Sequence, residues 1–66
     1  MTLEQLAQKA MDYLDYVGVA AEYHFGRNRE FLYVKTDYAI HTVWANGNIN
    51  GFLKELKLRY PVKSPD

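Results

Sequence analysis

The sequence predicts a small α+β domain with the element order α-β-β-β-α, in which a three-stranded antiparallel meander carries both helices on one face. Two segments repeat apolar residues at steps of three and four, which is typical of amphipathic helices. The three segments between them are rich in β-branched and aromatic residues and alternate along the chain. Short links join these three segments, which favours two consecutive hairpins.

The first helix is predicted over residues 3–17. Thr2 can cap it, and Gln5 follows three residues later, which is the spacing of a capping box. Gly18 ends the helix, because glycine accepts the positive φ that follows a last helical turn. The apolar residues of this helix share one face: Leu3, Leu6, Ala7, Ala10, Met11, Leu14 and Val17.

Strands are predicted over residues 19–25, 29–36 and 38–45. Turn-forming residues separate them, since glycine, asparagine and aspartate favour tight turns. Two pairings are assumed to set the register. Phe25 is placed opposite Glu30, and a two-residue turn of Thr36 and Asp37 places Tyr33 opposite Ile40.

The second helix is predicted to begin after Asn48, whose side chain can cap it. Pro61 cannot continue a helix and ends it. One domain is therefore expected over residues 1–60, with a frayed tail at 61–66. The apolar face of this helix comprises Ile49, Phe52, Leu53, Leu56 and Tyr60, and the predicted core is Leu6, Leu14, Leu32, Val34, Phe52, Leu53 and Leu56.

Alternation sorts the strand residues onto two faces of the sheet. Mostly small and apolar residues occupy one face, which suits two covering helices: Ala21, Tyr23, Phe25, Leu32, Val34, Ala39, His41, Val43 and Ala45. The other face is expected to be open to solvent and carries Glu22, His24, Phe31, Tyr33, Lys35, Tyr38, Ile40, Thr42 and Trp44. A one-residue error in the register at the first turn would exchange the two faces of strand one alone. The aromatic residues of strands two and three therefore share a face in either case.

The amino-acid composition argues against several classes of function. The 66 residues carry eight basic and eight acidic side chains, so a strongly basic nucleic-acid clamp is disfavoured. Cysteine is absent, and the only serine is Ser64 in the predicted tail, so no nucleophile is credible. Glu22, His24 and Lys35 could form an acid–base cluster, but a domain without a pocket is expected to be no enzyme.

No metal or other cofactor is expected either. His24 and His41 alternate onto opposite faces, so they cannot share one tetrahedral ion. The N-terminal residues do not read as a signal peptide, and no apolar run approaches the length of a membrane span. A soluble, cytoplasmic protein is expected.

The element order resembles that of the double-stranded RNA-binding domain, which is also α-β-β-β-α at about this length. That family carries a run of lysines at the start of its second helix. The matching stretch here is Asn48-Ile49-Asn50-Gly51, which has no positive charge. The resemblance therefore implies the topology but no duplex-binding residue.

The open face gives the leading functional hypothesis, because an exposed apolar patch usually marks an interaction site. A non-enzymatic protein-interaction module is predicted, either a homodimer or an adaptor that binds a protein partner. The alternative is a single-stranded nucleic-acid-binding module that stacks bases on the same rings. Its backbone would run along His24, Lys35, Arg27 and Arg29. The predicted partner-binding residues are Phe31, Tyr33, Tyr38, Ile40 and Trp44, with His24 and Lys35 beside them.

Overall fold

Residues 2–62 are described by a computed structural model, which confirms the predicted fold class. The elements in chain order are α1 (Leu3–Tyr16), β1 (Ala21–Phe25), a 3₁₀ turn (Arg27–Arg29), β2 (Phe31–Thr36), β3 (Ile40–Trp44) and α2 (Ile49–Arg59). The sheet is antiparallel, with the strand order β1-β2-β3. The predicted frayed tail at 61–66 lies outside the described residues from position 63 onward.

The predicted capping residues hold both helices at their first turns. Thr2 and Gln5 form a capping box, in which the Gln5 N–H donates to Thr2 Oγ1 at 3.1 Å and the Thr2 N–H donates to Gln5 Oε1 at 2.9 Å. Gly18 follows α1 with φ of +80°. At α2, the Gly51 N–H donates to Asn48 Oδ1 at 2.9 Å. Within residues 2–62, neither helix has the length and apolar character needed to cross a bilayer.

The core lies between the two helices and one face of the sheet. Leu32 and Val34 of the middle strand are fully buried there. Leu53 is the exception among the predicted core residues, because it is only half-buried at the margin of the cluster. The buried cluster consists of Leu3, Leu6, Ala7, Ala10, Leu14, Leu32, Val34, Val43, Phe52 and Leu56.

The predicted turn between β2 and β3 is wrong by one residue. Asp37 and Tyr38 form the turn, because the Thr36 hydroxyl accepts the N–H groups of Tyr38 and Ala39, each at 3.1 Å. The Thr36 N–H also donates to the Ala39 carbonyl at 2.9 Å, which closes the hairpin. Lys35 therefore pairs with residue 40, and the residue opposite Tyr33 is Thr42 rather than Ile40.

The predicted pairing of β1 with β2 is wrong as well. Phe25 lies opposite Leu32 rather than Glu30, because the 3₁₀ turn takes Glu30 out of the strand. Asn28 and Arg29 in this turn both have φ of +56°. Both registers differ from the predicted ones by two residues, which is a whole period of the side-chain alternation. The residues of the three strands therefore keep their predicted faces, and only the turn residues change place.

Replacing Leu56 by alanine should lower the free energy of unfolding by about 2–5 kcal/mol, because a side chain that is 1 % exposed leaves a cavity when truncated. The matched control is Leu58→Ala on the same helix. Leu58 is 81 % exposed, so its loss should change the stability by no more than about 0.5 kcal/mol. Urea denaturation followed by circular dichroism measures both. Equal losses would contradict the orientation of α2.

Candidate functional site

The face of the sheet opposite the helices is the candidate site, and we call it the open face. Both helices pack on the other side, so no element among residues 2–62 covers it. Ile40 remains 60 % exposed and Trp44 53 % exposed, whereas Phe31 and Tyr33 are half-buried by their neighbours. The open face consists of Glu22, His24, Phe31, Tyr33, Lys35, Ile40, Thr42 and Trp44.

Four rings form a continuous row across all three strands, which we call the ring row. The His24 ring stacks on Tyr33 with centroids 5.2 Å apart and planes 25° apart. Tyr33 and Phe31 are 6.2 Å apart with planes at 28°. Phe31 and Trp44 are 4.9 Å apart with planes at 48°. Each ring supports the next, so the row forms one continuous surface.

The register and one glycine explain why the rings meet. His24 lies directly opposite Tyr33, and Phe31 lies directly opposite Trp44. Side chains on directly opposed residues of an antiparallel pair are close enough to interact. A Cβ atom at Gly26 would overlap the Phe31 ring, so the ring lies over bare backbone at this position. Glycine in this strand-end position is therefore needed for the close approach of the ring.

Charge on the open face is balanced. Glu22 Oε2 lies 3.3 Å from His24 Nε2 on the same strand, and both side chains are exposed. Lys35 lies directly opposite Glu22 in the register. One acidic and one basic side chain thus border the ring row at the same end, and neither sign of charge dominates.

Two residues named from the sequence lie away from the ring row. Tyr38 was expected on the open face, but it lies in the turn and its ring is 6.1 Å from that of Tyr60. Arg29 forms an ion pair with Glu4 of α1, and its guanidinium lies 5.4 Å from the centroid of the Phe25 ring. Arg29 is thereby turned toward the helix-covered side.

Sequence reasoning missed the role of Tyr60, which ties the end of α2 to the sheet. Its hydroxyl lies 2.9 Å from Thr36 Oγ1 and 2.7 Å from His41 Nε2. The Tyr13 hydroxyl donates to the Tyr60 carbonyl at 2.6 Å. In the sequence, the only sign of this role is a tyrosine just before a proline at the end of a helix. That pattern does not predict hydrogen bonds to Thr36, His41 or Tyr13.

The surroundings of His41 favour its neutral form. The Thr36 hydroxyl accepts two backbone N–H groups and has two acceptors for its own proton, the Tyr60 oxygen at 2.9 Å and the Ala39 carbonyl at 3.2 Å. A neutral His41 with an unprotonated Nε2 accepts the Tyr60 hydroxyl proton across 2.7 Å. Burial lowers the pKa of His41 below 6.5, and Arg59 lowers this pKa further while Glu55 opposes the shift.

No metal centre is evident in the part of the chain that the structure describes. His41 faces the helices and His24 belongs to the ring row, so the two lie on opposite faces as predicted. Residues 2–62 contain no group of three or more potential protein ligands that could hold an ion.

Stability should fall as the pH drops below 6.5, because the unfolded chain then binds a proton at residue 41 that the folded chain excludes. The loss begins near the ordinary pKa of 6.5 and levels off below the lower pKa of the folded state. Urea denaturation of wild type and His41→Gln between pH 8 and 5 measures it. The difference between the two curves should depend on pH, and a constant difference would contradict the neutral His41.

The chain was also compared with known proteins. No protein-family model, no curated protein and no solved structure matches it, so the site described above is the basis for the function that follows.

Proposed function

We propose that this protein is a non-enzymatic interaction module that binds an apolar surface of a partner protein through the open face. The ring row is the observation that carries the proposal. It is exposed at both ends and half-buried in the middle, spans the whole width of the sheet and shares the open face with the exposed Ile40 side chain. Aromatic residues are enriched at the centres of protein interfaces because they bury a large area with few rotatable bonds.

The charge pattern indicates the character of the partner. Glu22 is close to His24, and Lys35 lies opposite Glu22, so the open face has no dominant charge. A strongly charged partner surface would lose its hydration against the rings without gaining an opposite charge. A flat surface of aliphatic and aromatic side chains is therefore the best complement.

The expected affinity is moderate. Full burial of a large apolar side chain contributes about 1.5–3 kcal/mol. The ring row and Ile40 are already partly covered, so each gains only about half of that on binding. Association costs about 4–15 kcal/mol in lost freedom of motion. Together these five side chains contribute roughly 4–8 kcal/mol, which offsets the association cost only at its lower end. A dissociation constant on the order of 10⁻⁶ to 10⁻⁴ M therefore requires further contacts around the ring row.

Tyr33→Lys and Ile40→Lys should weaken partner binding by more than about tenfold, because each places a charge in a desolvated contact. Tyr16→Lys is the matched control, since Tyr16 is 73 % exposed on α1, away from the open face. A partner is captured from cell extract with tagged wild-type protein, purified and titrated with all four proteins by calorimetry. Circular dichroism verifies that each variant is folded.

Two outcomes would overturn the proposal. One is a purified partner that binds all variants equally well. The other is a partner whose binding is lost only in Tyr16→Lys, which would place the interaction on the helices.

Single-stranded nucleic acid is the second candidate, and the exposed rings next to Lys35 favour it. Two observations make nucleic-acid binding less favourable than protein binding. Arg29 is paired with Glu4, and the His24 and Tyr33 rings cover each other's faces, which leaves less ring surface for bases. Saturable binding of a labelled oligonucleotide that weakens with salt and is lost in Tyr33→Ala would replace the leading proposal.

Duplex RNA should not bind. The first turn of α2 carries neither acidic nor basic residues. Without a lysine or arginine to contact phosphates, few counterions would be released on binding. A fluorescence titration at low salt should show no saturable binding below about 10⁻⁴ M, the weak end of non-specific affinity. Micromolar, salt-sensitive binding would contradict this expectation.

A further inference from the structure

The outer strand β3 has an edge of unusual composition. Its five residues, Ile40–Trp44, include no lysine, aspartate, glutamate or proline. Exposed edge strands normally carry such residues, which prevent another chain from adding to the sheet. The opposite outer strand, β1, does carry a charged residue, Glu22. No described strand pairs with the outer side of β3.

The backbone groups of β3 alternate between β2 and this free edge. The Ala39 carbonyl accepts the Thr36 N–H at 2.9 Å, and the Ala45 N–H donates to the Glu30 carbonyl at 2.8 Å. Odd-numbered residues thus bond to β2, and antiparallel alternation turns the even-numbered ones outward. The N–H groups of Ile40, Thr42 and Trp44 therefore point away from the sheet.

Two adjoining pockets follow this edge on the side of α2. The first, of about 190 Å³, lies beside residues 40–42 and is bordered by Phe52, Glu55 and Leu56 of the helix. The second, of about 350 Å³, lies beside residues 42–44 and is bordered by Gly51, Phe52 and Glu55. Together they form a groove between the free edge of β3 and α2.

The spacing of the pockets fits an extended peptide. Their positions differ by two residues along β3, and side chains two residues apart on a strand point to the same face about 6.4–6.8 Å apart. We propose that an extended peptide segment of a partner protein adds to β3 as a fourth strand. Two of its side chains, at positions i and i+2, occupy the two pockets.

The lining of the groove sets the chemistry of this peptide. Phe52 and Leu56 lie at the base of the first pocket but are almost fully buried. His41 and Glu55 supply more of its exposed lining, so the first pocket suits a polar side chain of medium size. The larger second pocket also borders Trp44, and it suits a bulkier apolar side chain. The peptide residue between these two faces the open side, beside the uncharged Ile40 and Thr42. A proline-free strand with a polar residue and a bulky apolar residue two positions apart is the expected ligand.

A second copy of this chain does not fit the same edge. Antiparallel pairing of two β3 strands about a two-fold axis would put both copies of α2 on one side of the joined sheet. The strands would be about 4.8 Å apart, whereas packed helices need about 8–10 Å. Since α2 packs against β3 itself, the two helices would overlap. A peptide without its own helix meets no such obstacle.

Thr42→Pro gives the sharpest test. Proline removes the outward N–H of residue 42 but leaves the β2–β3 hydrogen bonds intact, because proline is tolerated where the missing N–H faces outward. Tyr23→Pro is the matched control on the free edge of β1. Gly26 donates to the Phe31 carbonyl at 2.8 Å, so the same alternation directs the Tyr23 N–H outward.

Displayed random peptides of about ten residues, long enough for one strand, are selected on wild-type protein. The enriched peptides should carry a polar and a bulky apolar residue two positions apart. They should bind wild type and Tyr23→Pro equally and Thr42→Pro more than about tenfold more weakly. N-methylation of the peptide at a bonded N–H should cause a similar loss. In NMR titrations the amides of Ile40, Thr42 and Trp44 should shift.

No enriched peptide, or peptides that bind Thr42→Pro as well as wild type, would overturn the inference. So would amide shifts confined to β1. The Thr42→Lys variant serves if Thr42→Pro fails to fold, since a lysine at an edge strand also opposes strand addition. The inference does not rest on the proposed function. Tyr33→Lys, which tests the open face, should leave peptide binding at the β3 edge unchanged.

Discussion

Leu6 and Leu14 of α1 pack in one cluster with Leu32 and Val34 of the middle strand, and none of these four side chains is accessible to solvent. This contact fixes α1 over β1 and β2 and leaves α2 to pack against α1 and the outer strand β3. The two α-helices of residues 2–62 cover one face of the sheet. The open face and the groove beside β3 both result from that arrangement.

The open face differs from an ordinary polar sheet surface in how its rings support each other. Phe31 touches both Tyr33 and Trp44, and it lies over the bare backbone of Gly26. A ring held between neighbours loses little further entropy on binding, which favours contact with a partner. Arg29 does not add a second cation beside Lys35 on this face, because it is held by Glu4 on the other side.

The division of the sheet into two faces could be predicted from the sequence, although neither hairpin register could. An error of two residues in the pairing leaves the side chains within the strands on their faces, so alternation alone was sufficient for them. The turns depended on local hydrogen bonds that composition does not reveal. The Thr36 hydroxyl binds the N–H groups of Tyr38 and Ala39, so the turn consists of Asp37 and Tyr38 rather than the predicted Thr36 and Asp37. Tyr38 therefore does not lie on the open face. The groove depends on where α2 lies relative to β3, which is a tertiary property without a sequence pattern.

Tyr60 has a consequence for the order of folding. Its carbonyl accepts from Tyr13, 47 residues earlier, whereas the two hairpins join neighbouring strands through short turns. Short loops close at lower entropic cost than long ones, so the hairpins are expected to form before the Tyr60 contacts. Interactions that form after the transition state slow unfolding without speeding folding. The hydrogen bonds of the Tyr60 hydroxyl to Thr36 and His41 thus slow unfolding and prolong the lifetime of the native state.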